Sequence, residues 1–144
     1  MRPDVGFVEG VQVGRWGVKM IGAWRVNDLE NPTKILSMPA VSVEGKEGNR
    51  YLENIDAGGF YCYLTKTILY KGATYQWHDE CFGADVCYGL DLRRLGYKVL
   101  IDWSLVIGHN DHGNVLVPDS RCEQVMFNKI DNKWVMVKRD PKRV

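Results

Sequence analysis

No stretch of this 144-residue chain approaches the ~18 consecutive apolar residues of a membrane-crossing helix, and no basic-then-apolar leader opens it. A charge excess is missing too. The formal net charge is +1, whereas a wholesale nucleic-acid binder carries a marked basic imbalance. The four cysteines, Cys62, Cys81, Cys87 and Cys122, form neither a C-x-x-C pair nor a metal-knuckle spacing. Cys81 and Cys87 therefore read as small buried hydrophobes, and reduced thiols in a cytoplasmic chain are expected. A membrane-associated parent protein is compatible with that expectation. Internal repeats and low-complexity tracts are also lacking.

What is present fits a globular protein. Hydrophobic residues make up 45% and charged residues 26%, and a chain of this length makes one domain that buries roughly 68–70% of its surface. Residues 5–10 (Val-Gly-Phe-Val-Glu-Gly) and 22–26 (Gly-Ala-Trp-Arg-Val) read as short strands. Residues 27–50, with Asn31-Pro32, Pro39 and Glu-Gly-Lys-Glu-Gly-Asn at 44–49, read as a long functional loop. Residues 55–65 read as a strand with Gly58 and Gly59 near its start, marking a bulge or a close approach to the backbone.

A short helix over 65–70 and a longer one over 83–95 follow. The longer helix carries two apolar stripes, Tyr88, Leu92 and Leu95 on one and Val86, Cys87 and Leu90 on the other, which predicts cover on more than one side. Gly96 suits its C-terminal turn. Residues 97–102, 105–108 and 134–138 are strand-like. The region from about 116 to 144 reads as a basic tail, with Lys133, Lys138, Arg139, Lys142 and Arg143 against Asp140. The expectation is one sparse α/β domain.

Chemistry concentrates between Trp77 and His112. Asp79, Glu80, Asp85 and Asp91 lead into or lie on the longer helix, and Arg93 and Arg94 close it. Asp85 falls in its first turn, with Gly89 one turn on leaving the carboxylate unobstructed. It reads either as a helix-end charge meeting the positive end of the dipole or as a general base kept ionised by that dipole. His109 follows an apolar strand (Leu105, Val106, Ile107), where a ring at the sheet's C-terminal edge is structural or a metal ligand. His112 reads as a loop residue, and His78, Asp79 and Glu80 as rim. The aromatics Phe60, Tyr61, Tyr75, Trp77 and Trp103 offer sugar-stacking platforms or core packing.

Several of these pieces recur in a familiar order. Ala57-Gly58-Gly59-Phe60, Gly72, His78-Asp79-Glu80, Ala84-Asp85, Arg93-Arg94-Leu95-Gly96-Tyr97-Lys98-Val99 and His109 resemble the C-terminal half of GT-A-fold glycosyltransferases of the family 2 type. Pro3-Asp4-Val5-Gly6-Phe7-Val8 is similar to the strand that follows their nucleotide-binding half, so the resemblance spans about residues 3–115. It implies a partial GT-A-like mixed sheet with few helices. It also implies that Asp85 deprotonates an acceptor hydroxyl in an inverting transfer from a nucleotide-sugar to a carbohydrate or lipid-linked acceptor. His109 would help hold Mn²⁺ or Mg²⁺ on the diphosphate. Gly58, Gly59, Phe60, Trp77, Asp79 and Arg93 would line the substrate.

The pattern also departs from that family. Ala84 replaces the first acid of the usual pair, and a Gln-x-x-Arg-Trp signature is absent. So is any Asp-x-Asp, which closes the nucleotide-binding βαβ half. The expectation is a fragment, weakly active or inactive alone, whose missing half lies in the same or a partner chain. Its rivals are a non-catalytic carbohydrate- or protein-binding module and, behind it, a metal hydrolase using His78, Asp79, His109 and His112.

Overall fold

A computed structural model describes residues 2–15, 19–31, 34–72, 83–119 and 121–138. These form a mixed α/β fold of mostly strands with two helices. No helix among the described residues is long and apolar enough to cross a membrane.

The central strand is β1 (Val5–Val11), buried at every position except the half-buried Val8. Such a run, apolar on both faces, suits the middle of a covered sheet. β1 lies between β9 (Lys98–Val106), which runs parallel to it, and the antiparallel β8 (Tyr63–Thr65). β6 (Leu52–Ile55) completes the four-stranded sheet on the far side of β9, antiparallel to it. The register sets Phe7 beside Val99 and Glu9 beside Ile101.

Helix α1 (Thr67–Gly72) precedes α2 (Ala84–Arg94). The two apolar stripes of α2 serve two separate cores. Tyr88 and Leu92 join Phe7, Val11, Val99, Ile101 and Trp103, whereas Val86, Cys87 and Leu90 join Met20, Trp24, Met38 and Phe127. Leu95, expected on the first stripe, is 65% exposed because the helix has already ended. Gly96 follows at φ +89°, a left-handed conformation that glycine adopts without a Cβ penalty.

Four expectations need correction. Residues 55–65 are not one strand: after β6 the chain leaves the main sheet, and β7 (Ala57–Gly58) pairs instead with β4 (Ala23–Trp24). It rejoins the main sheet only at β8. Conversely, the single β9 runs through the break expected at 103–104 and ends at Val106, short of Ile107 and Gly108. The 27–50 region supplies core rather than an open loop. Ile35, Met38, Ala40, Val41 and Val43 are buried there, and β5 (Ser37–Pro39) pairs with β12 (Val125–Ile130). The stretch read as a basic tail holds an antiparallel hairpin, β12 with β13 (Lys133–Lys138), whose Val125 and Phe127 are buried in the second core.

Two small ribbons complete the described chain: β2 (Val13–Arg15) with β3 (Lys19–Ile21), and β10 (His109–Asp111) with β11 (Asn114–Leu116).

Candidate active site

Asp85 stands in the first turn of α2, as the spacing predicts. Gly83 precedes the helix in extended conformation and gives it no side-chain cap. The Asp85 Oδ1 instead accepts the N–H of Val86 at 2.9 Å. That bond favours the carboxylate, but burial outweighs it and pushes the Asp85 pKa above the ordinary aspartate range. The expectation that the helix dipole alone sets its charge state is therefore incomplete. Partial burial pulls the other way and brings the group nearer to a proton acceptor that can be refilled.

Gly89 does not serve to clear Asp85. A Cβ there would lie 2.8 Å from the Ala57 Cα and 3.0 Å from the Asp56 carbonyl oxygen, so this glycine is where α2 presses onto the backbone leading into β7. Arg93, two turns along, is about 12 Å from Asp85 at 1.5 Å of rise per residue. Its Nε donates to Asp56 Oδ1 at 3.3 Å, while Asp56 Oδ2 accepts the Val26 N–H at 2.9 Å. The pair ties the C-terminal part of α2 to the chain after β4.

Gly58 and Gly59 do meet Asp85's surroundings, through side chains that sequence reasoning passed over. Glu9 of β1 and Gln12 just beyond it are 1% and 0% exposed. Glu9 Oε2 accepts the Gly59 N–H at 2.8 Å and the Gln12 Nε2 at 2.5 Å. A Cβ on Gly58 would fall 2.6 Å from the Glu9 carboxyl carbon, and one on Gly59 would fall 2.7 Å from Gln12 Nε2. A side chain at either glycine would thus displace the carboxyl of Glu9 or the amide of Gln12. Burial, with the neighbouring Asp85 charge adding to it, drives the Glu9 pKa well above the glutamate range against two opposing hydrogen bonds. The available signal was an acid inside an otherwise apolar strand, Val-Gly-Phe-Val-Glu-Gly-Val.

His109 opens β10 rather than ending β9, and it is 7% exposed. Its Nδ1 lies 2.7 Å from the Val13 carbonyl oxygen. A carbonyl can only accept, so Nδ1 carries the hydrogen, which leaves Nε2 as the ring nitrogen that could serve as a ligand. This is the orientation that a histidine ligand needs. Tyr61 packs on the ring with centroids 4.1 Å apart. Asp85 and His109 share no hydrogen bond. They are linked through the segment from Glu9 to Val13, one at each end of it.

Phe60 packs with Phe7, Tyr63 and Tyr88, at centroid distances of 6.2, 4.8 and 5.8 Å. Trp103 is fully buried, its indole N–H donating to Glu53 Oε2 at 2.8 Å. Both are occupied in packing. His112 is exposed in the turn between β10 and β11, at φ +49°. Trp77 and Asp79, with Tyr75, His78 and Glu80, lie outside the described residues. Cys62 and Cys122 are free thiols, but Cys87 is disulfide-bonded, which the expectation of reduced thiols did not include.

No group of three His, Cys, Asp or Glu side chains that could hold a metal ion occurs among the described residues. His109 by itself is no metal site. No family model, curated protein or solved structure matches this chain.

Proposed function

We propose that the chain is the acceptor-side, base-bearing part of a metal-dependent glycosyltransferase that uses a nucleotide-sugar donor and inverts the anomeric centre. The observation that carries this reading is Asp85, half-buried in the first turn of a helix that leads into β9, with its affinity for a proton raised by burial. A carboxylate so placed can take a proton from an acceptor hydroxyl as that oxygen attacks the donor's anomeric carbon. The mixed sheet supports the reading, with β1 and β9 parallel and α2 packed between two cores. So does the family-2-like order of Gly58-Gly59, Ala84-Asp85, Arg93 to Val99 and His109.

His109 would contribute Nε2 to Mn²⁺ or Mg²⁺ on the donor diphosphate. A bound cation there supplies positive charge against the negative charge that develops on the leaving group. The protein's own part is to hold that ring through Val13 and to hold Asp85 at the helix start. Gly58 and Gly59 pack against Glu9 and Gln12.

The test measures nucleotide-diphosphate release from UDP- and GDP-sugars with Mn²⁺ and an acceptor panel. The chain is assayed together with any nucleotide-binding segment encoded in frame or as a partner. Asp85→Asn should lower transfer by about 10²–10⁴-fold, the usual contribution of a general base. Full activity in that variant would remove the assignment. Because the Asp85 pKa is raised, the wild-type rate should climb with pH to a midpoint above the ordinary aspartate value of 3.8.

A further inference from the structure

Glu9 takes no part in the transfer step, yet the fold keeps an acid where apolar packing would be expected. It sits between Tyr63 of β8 and Ile101 of β9, in a strand covered on both faces. Its two hydrogen-bond partners, Gly59 N–H and Gln12 Nε2, both reach Oε2, and neither is a cation. Its Oε1 is buried without a partner, as is the Oε1 of Gln12. The ionisable group acting on it is Asp85 of α2; Tyr63 of β8 and Ile101 of β9 stand in register with it, and β7 brings Gly58.

An ionised carboxylate in that place would be stripped of water, uncompensated by positive charge and next to a second carboxyl group. The neutral acid avoids all three costs. It loses neither hydrogen bond, since Oε2 remains the acceptor of both and the proton resides on Oε1.

We infer that Glu9 is held as a neutral carboxylic acid, protonated on Oε1, and is a positioning residue that anchors the Gly58–Gly59 turn while leaving Asp85 the single anion of the pair. The benefit to catalysis rests on the reading of Asp85 as the base; the protonation of Glu9 does not. Were both acids ionised, their repulsion would oppose the charge state that the base requires. With Glu9 neutral, Asp85 ionises first and its charge then holds the Glu9 proton in place, so the two titrate in a fixed order.

The experiment is a carbon-13 NMR titration of Glu and Asp side-chain carboxyls in the whole chain. Glu9 is assigned by correlation to its own backbone, so the first readout requires no variant to fold. The Glu9 signal should stay at the carboxylic-acid position through neutral pH. Asp85→Asn should make Glu9 about tenfold more acidic, the scale expected on removing a neighbouring like charge. Glu9→Gln should leave the Asp85 midpoint where it was, because glutamine imitates the neutral acid.

A carboxylate-position Glu9 signal at neutral pH overturns the proposal, and so does a Glu9 midpoint that ignores Asp85→Asn. If transfer is absent while the titration behaves as described, the base assignment fails alone and the state of Glu9 stands.

Discussion

Glu9 and His109 each depend on a neighbour far away in the chain, Gly59 and Val13 respectively. His109 depends on the Val13 carbonyl for its ring orientation. His109→Ala should therefore weaken Mn²⁺-dependent binding of a nucleotide-sugar, read by calorimetry with and without the metal, while equal binding by both proteins would remove the ligand role. Glu9 controls a pH dependence of stability. Its folded pKa lies above the unfolded value of about 4.5, so the unfolded chain releases that proton first. The stability linked to it is fully present below the unfolded value and is lost as pH rises toward the folded one. The wild-type melting temperature should fall over that window, and Glu9→Gln should flatten the fall. A parallel pH profile in the two proteins would show that Glu9 is not the group responsible. The place of Asp85 was legible because an acid at a helix start is a local signal, whereas His109, expected to end a strand, opens the β10–β11 ribbon instead. Glu9 and Gln12 were not legible, since only the burial of β1 from both sides turns two ordinary polar residues into a costly pair.

At the level of elements, α2 was readable nearly to its ends, because its two stripes and Gly96 are encoded within a few turns. Its use of Gly89 was not. Helix propensity alone favours alanine over glycine by roughly 1 kcal/mol in a helix interior. Here a Cβ would press on the Ala57 backbone at 2.8 Å, so Gly89→Ala should instead destabilise by about 1–3 kcal/mol, measured by urea unfolding. A stabilised variant would mean that α2 has room to move away. The strand over 55–65 was misread for a related reason. Gly58 and Gly59 mark a close approach, as their type suggests, but what approaches is the buried Glu9–Gln12 pair, and β7 pairs with β4 rather than in the main sheet.

At the scale of the whole molecule, the hairpin of β12 and β13 closes the second core over β5 and the 27–50 region. Phe127, with its ring edge-on to Trp24 at 5.2 Å, belongs to that core. Phe127→Ala should cost about 3–5 kcal/mol, the usual range for a buried phenylalanine, and should lower the melting temperature of the whole domain rather than of a detached tail. An unchanged melting curve would show the hairpin to be an appendage. The basic character of this region concealed its role, because charge in β13 describes the outer face and says nothing of Val125 and Phe127 beneath. Sequence by itself determined the two helices, a strand over residues 5–10 and the place of Asp85 in the first turn of α2, since all of these follow from short-range periodicity. Tertiary structure alone decided which strands pair across distant sequence, that Arg93 pairs with Asp56, and that Asp85 has a buried acid beside it. Those outcomes depend on burial and on neighbours brought together by folding, which no local pattern records.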